Sequence, residues 1–137
     1  MKKCLLLMLM VFPLMFIGCA NNNKIIGTWI RVKSAPKDNT GVSSGSVTYL
    51  TFNNDGTFEE KTCLQIGVDS QSSSDLITIL GTWEMKDENT LSMDAKTVKA
   101  FGETRENHKI TEYAISRLDD ESLEMMEGGK ELKYRRK

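Results

Sequence analysis

Few side chains in this chain have types and spacing that suggest chemistry. Its one histidine, His108, lies in a polar stretch near Glu103 and Glu106. A metal site there would need further convergent ligands, so His108 reads as part of a solvated loop and no metal site is expected. No Ser/His/Asp spacing is present, nor a glycine-rich phosphate loop after a strand, nor a paired-cysteine metal motif. The acidic pairs Glu59-Glu60 and Asp119-Asp120 read as an exposed strand and a turn. Catalytic carboxylates need burial to shift their pKa values, and neither pair stands in an apolar context. The chain is therefore not expected to be an enzyme, and no cofactor is expected. Thiol chemistry is left, at Cys4, Cys19 and Cys63.

Cys19 stands at the end of a distinctive segment. Lys2 and Lys3 open the chain, and an apolar run follows from Leu5 to Ile17, interrupted only by Pro13. A basic start, a short apolar core and small residues at the end form the pattern of an export signal. The run has 13 residues. As a helix it would span roughly 20 Å, short of the roughly 30 Å hydrocarbon core of a bilayer. Phe16-Ile17-Gly18-Cys19 resembles the lipobox of bacterial lipoproteins, with Phe16 where leucine is usual. That resemblance implies a diacylglyceryl group on the Cys19 thiol, with palmitate-type chains, and cleavage just before it. Two or three acyl chains on one cysteine make attachment effectively stable, whereas one chain holds only marginally. Ala20 rather than Asp follows the cysteine, which by resemblance to lipoprotein sorting implies the outer membrane of a Gram-negative bacterium. The expected division is a signal peptide over 1–18, a lipidated N-terminus and polar linker over 19–25, and one domain over 26–137.

Removing residues 1–18 leaves 119 residues, enough for one ordinary domain. The chain has 18 Lys+Arg and 19 Asp+Glu; without Lys2 and Lys3 the balance is 16 against 19, a net charge of about −3. That balance argues against a nucleic-acid partner. The basic end Lys133-Tyr134-Arg135-Arg136-Lys137 reads as a solvated final strand. With Cys4 removed and Cys19 lipidated, Cys63 is the remaining cysteine, expected to be buried and inert.

The elements that must position these residues are strands. Short apolar runs are punctuated by turn residues, and no long helical period dominates. Strand signals cover 27–32, 47–52, 57–66, 76–86, 90–93, 109–118, 122–126 and 132–134. The stretch 94–108 is open between strand, helix and loop. Asn53-Asn54-Asp55-Gly56 and Gly128-Gly129 are strong hairpin signals, since such turns use positive φ angles. Ser34–Ser46 and Gly67–Asp75 read as longer polar loops. The expected fold is all-β, a small antiparallel meander of eight or nine strands that closes into a barrel. Alternation places Ile77, Ile79, Gly81, Trp83 and Met85 on one inner face, with Leu50, Phe52, Phe58, Leu91, Met93, Leu123 and Met125 also inside. Met85, Met93, Met125 and Met126 read as adaptable core filler. In strand one, Trp29 and Arg31 share one face, and Ile30 and Val32 the other. Which face is inside stays open.

Gly27-Thr28-Trp29, repeated as Gly81-Thr82-Trp83 with Asp55-Gly56-Thr57-Phe58 between them, resembles the lipocalin-like lipoproteins of Bacteroidetes. The resemblance covers roughly residues 25–136. It implies that the tryptophan closes the bottom of a barrel and that an arginine packs on it, with Arg117 and Arg135 as candidates. Two functions follow from it. One is a membrane-anchored lipoprotein whose lipocalin-like barrel binds a small hydrophobic ligand, with Trp29, Phe52, Phe58, Ile79, Trp83, Met85, Met93 and Tyr113 as pocket or core residues. The other is a structural or accessory envelope lipoprotein that carries no ligand and acts through protein–protein contacts. Oligomeric state is not legible.

Overall fold

A computed structural model describes residues 22–34, 44–66 and 74–137. The segment expected to be an export signal, Cys19 and most of the two polar loops (35–43 and 67–73) lie outside the described residues. A single helical turn, α1 (Asn22–Ile25), leads into eight strands. These are β1 (Gly27–Ser34), β2 (Ser44–Phe52), β3 (Thr57–Ile66), β4 (Ser74–Met85), β5 (Thr90–Ala100), β6 (Glu103–Leu118), β7 (Ser122–Glu127) and β8 (Lys130–Arg136). Each strand pairs antiparallel with the next, and β8 pairs back onto β1 to close the barrel. The architecture is the expected all-β meander, with eight strands.

Turn chemistry explains the order. Gly128 (φ 54°) and Gly129 (φ 84°) form a two-residue hairpin between β7 and β8, with the positive φ pair that such loops require. The loop at 53–56 works differently from the expectation. It has four residues, and only Gly56 is left-handed (φ 80°). Asp55 instead accepts hydrogen bonds from the Thr57 amide at 2.9 Å and the Thr57 hydroxyl at 2.6 Å. Those bonds hold the Asp55 carboxyl below the usual carboxylate range.

The open stretch 94–108 is strand, a tight turn, then strand. Phe101 (φ 52°) and Gly102 (φ 81°) form the β5–β6 hairpin. Phenylalanine disfavours that conformation, so composition carries no turn signal there. His108 consequently sits exposed on β6 rather than in a loop.

Four irregularities in the ladders flank the long strands β4, β5 and β6: at Thr62/Cys63, Leu80/Gly81, Ala95/Thr97 and Ile115/Arg117. The second explains why β4 can be read as two strands meeting at Gly81. A Cβ on Gly81 would stand 2.0 Å from the Asp94 carbonyl oxygen and 2.7 Å from Phe58 Cε1. Only glycine allows the neighbouring backbone that close, and the bulge bends the sheet toward closure.

Alternation then sorts the inner face. Leu50, Phe52, Phe58, Leu91, Met93, Leu123 and Met125 are all buried in one core, as expected. Val47 and Cys63 pair across β2–β3 and are buried on the opposite face of those strands.

Candidate ligand-binding interior

The barrel has two unlike ends. At one end, α1 and the turns at 53–56, 86–89 and 119–121 gather around Trp29. β1 places Trp29 inward opposite Leu50, and its side chain is fully buried (0% exposed). The indole N–H donates to the Ile25 carbonyl at 2.8 Å, which ties the helical turn across the barrel floor. A buried tryptophan N–H left without such a partner would cost stability.

Arg136 covers the same ring. Its guanidinium carbon lies 4.2 Å from the Trp29 ring centroid. Its three nitrogens donate to the carbonyls of Asp120 (2.7 Å), Ile26 (2.9 Å) and Lys24 (2.5 Å). This corrects the expectation of Arg117 or Arg135. Arg117 pairs with Asp119 at 2.6 Å on the surface, and Arg135 is exposed on the outer face. The reason is register: β8 alternates Leu132, Tyr134 and Arg136 inward, and Trp29 pairs with Arg136 across the closing seam. The basic end is thus not simply a solvated strand, because Tyr134 is buried and Arg136 clamps the floor.

Above that floor the packing is apolar. Trp29, Phe52, Phe58 and Met93 are buried there, and Ile79, Trp83, Met85 and Tyr113 are partly buried against them. All eight residues named from the sequence as pocket or core lie together. Phe52 and Trp83 meet edge to face, with ring centroids 5.3 Å apart at 72°. The Trp83 N–H donates to the Asn53 carbonyl at 3.1 Å.

Toward the other end, the inner wall changes character. Ile77 faces inward on β4 yet is 36% exposed, and Ile79, Val98 and Thr111 are half-buried. Among the described residues, solvent therefore reaches the inner wall from this end, while the floor excludes it. The two-residue hairpins 101–102 and 128–129 stand at this rim.

Polar groups occupy the middle of this wall. The face of β1 that was open in the sequence is settled by Trp29: Arg31 also points in. Its guanidinium lies 5.2 Å from the ring centroid of buried Tyr134. Arg31 Nε is buried and has no hydrogen-bond partner. Among the described residues Arg31 forms no ion pair.

Glu60 faces the same space from β3, opposite Leu50 and Ile79. This corrects the reading of Glu59-Glu60 as an exposed pair. Only Glu59 points out, where it meets Lys61 at 2.6 Å. Burial pushes the Glu60 carboxyl above its ordinary pKa, Arg31 pulls it back down, and Glu127 raises it again. Burial likewise pushes Tyr113 up to about 12, with Glu127 and Glu60 adding to the shift. Tyr134 is raised for the same leading reason, against the pull of Arg31.

Arg31, Glu60, Tyr113, Glu127 and Tyr134 thus share one electrostatic neighbourhood inside the barrel. Of these the sequence reading assigned only Tyr113 to the pocket or core. The alternation that puts Phe58 inside also puts Glu60 inside, and Leu123-x-Met125 leads directly to Glu127, so a signal was present. Among the described residues no group of histidine, cysteine, aspartate and glutamate is arranged to hold a metal ion. Neither the known protein-family models nor the curated protein sequences include a match to this chain.

Proposed function

We propose that the protein is a membrane-anchored lipoprotein whose lipocalin-like barrel binds a small, largely apolar ligand. The observation that carries this reading is the contrast between the two ends of the barrel. One is sealed by Trp29, Arg136 and α1; the other lets solvent reach an inner wall of Ile77, Ile79 and Val98. An eight-stranded barrel is just wide enough to fill with side chains or hold one small ligand. Solvent access along the inner wall favours the second.

The anchor belongs to the same reading. α1 begins at Asn22, two residues beyond Ala20, and leads onto the sealed floor. A chain reaches at most about 3.6 Å per residue. A lipid on Cys19 would hold the floor within roughly 10 Å of the membrane surface, with the open rim pointing away. A ligand would then come from the aqueous side or from a partner, not from the leaflet beneath.

Two measurements test the two halves. Cys19→Ser should move the protein out of the membrane fraction and abolish labelling by radioactive palmitate. A variant that stayed on the membrane and kept its label would overturn the anchor. Native mass spectrometry of the full-length protein should detect a bound small apolar molecule. An empty barrel that no amphiphile stabilises would overturn the ligand.

A further inference from the structure

The polar groups inside the barrel define the ligand more narrowly than its apolar walls do. Arg31 keeps a buried N–H without an acceptor. Glu60 is held inside the barrel with its carboxylate form disfavoured by burial. Glu127 lies near Glu60, and Lys33 is the second cation close enough to influence Glu60. These charges do not pair with one another: Arg31 forms no ion pair among the described residues. Buried charges ordinarily find partners, because an unsatisfied buried donor costs about 1–3 kcal/mol. An arginine and a glutamate that face one interior space and form no ion pair among the described residues can both turn their polar atoms to a third group.

The charges also limit what that group can be. A lone carboxylate would gain from Arg31 but be repelled by Glu60 and Glu127. A lone ammonium would gain from the two glutamates but be repelled by Arg31 and Lys33. A pure hydrocarbon would give the Arg31 guanidinium no acceptor and Glu60 no donor. An uncharged head with hydroxyl donors and carbonyl or ether acceptors meets every requirement at once, with an acceptor for Arg31 and a donor for Glu60. The tail then lies along Ile77, Ile79 and Val98.

We propose that the barrel's ligand is an amphiphile with an uncharged head rich in hydroxyl and carbonyl groups, and that Arg31 and Glu60 bind that head. The proposal rests on the ligand-binding reading above.

Water-soluble amphiphiles sharing an eight-carbon acyl or alkyl chain separate the cases. Monooctanoyl glycerol, octanoate and octylammonium are titrated calorimetrically into the full-length protein held in amphipol at neutral pH. Monooctanoyl glycerol should bind at least about tenfold more tightly than either charged probe, a difference of about 1.4 kcal/mol. Arg31→Met should remove that preference without unfolding the barrel. Glu60→Gln should strengthen octanoate binding, because one repelling charge is gone, which a merely structural role for Glu60 would not produce. Octanoate binding as tightly as monooctanoyl glycerol, or Arg31→Met leaving the neutral probe unaffected, would overturn the head-group assignment while the ligand-binding barrel stood. No binding of any probe would overturn both.

Discussion

Single residues divide the barrel's interior into a structural half and a half suited to binding. Arg136 belongs to the first: its guanidinium lies over Trp29 and donates to three carbonyls at the floor. Arg136→Met removes a cation–π contact and leaves those carbonyls without their donor. Urea unfolding should show a loss of about 2–4 kcal/mol. Arg135→Met, one position away on the outer face, should change stability by about 0.5 kcal/mol or less. Equal effects would contradict the inward register of Arg136. Glu60 belongs to the other half. Its folded pKa is raised, so the folded state disfavours its ionised form. The destabilisation is absent below the unfolded carboxylate pKa and grows as pH rises through the folded pKa. Glu60→Gln should therefore raise the Tm at pH 7 by a few degrees, and the gain should vanish toward pH 4. A gain independent of pH would rule out ionisation as its cause. Holding an unfavourable charge inside the barrel is the kind of stability cost that binding sites carry.

Among the elements, the hairpin between β5 and β6 is the least expected. Phe101 takes φ 52° and is 83% exposed, so it bears backbone strain while its ring gains no burial. An L-residue pays about 1–2 kcal/mol in that conformation, and asparagine tolerates it best after glycine. Phe101→Asn should stabilise the domain by about 1 kcal/mol, read as a higher Tm. A lower Tm would mean that the ring makes a contact worth more than the strain. The same element shows where sequence patterning stops. The alternation of β2, β4 and β7 is visible from Leu50 to Met125, because each of those strands carries a pair or run of inward apolar residues. β6 has no such face over 103–110, where its residues are almost all exposed. Its strand character comes from pairing with β5, and a long-range partner leaves no local signature.

For the whole molecule, closure is the weakest link in the ladder. β1 pairs with β2 along its full length from Gly27 to Ser34 but with β8 only at Trp29↔Arg136 and Ile30↔Arg135. Beyond those pairs the seam has no ladder, and Arg31 is the first β1 residue past it. Hydrogen exchange followed by mass spectrometry should find β2 and β3 the most protected, and 31–34 with 130–133 among the least. Uniform protection around the barrel would show that the seam is as firm as the rest. A loose seam beside Arg31 would also let the barrel adjust at the place proposed to hold a ligand's head.

The sequence alone determined the all-β meander, its hairpins at 53–56 and 128–129, and the apolar set that fills the floor. These depend on period-two alternation and on turn residues, both local properties of the chain. It also supplied the expectations of an export segment and of lipid at Cys19, which rest on the local pattern of residues 1–19. Tertiary structure decided which arginine covers Trp29, which face of β1 is inside, and that Glu60 and Glu127 share an interior with Arg31. Those facts depend on the register of β8 against β1 and on closure of the sheet. Residues more than 100 positions apart meet only when the last strand returns to the first: Arg31 against Tyr134 and Trp29 against Arg136. No local pattern encodes that return, because the shear of the barrel, rather than any one strand, sets it.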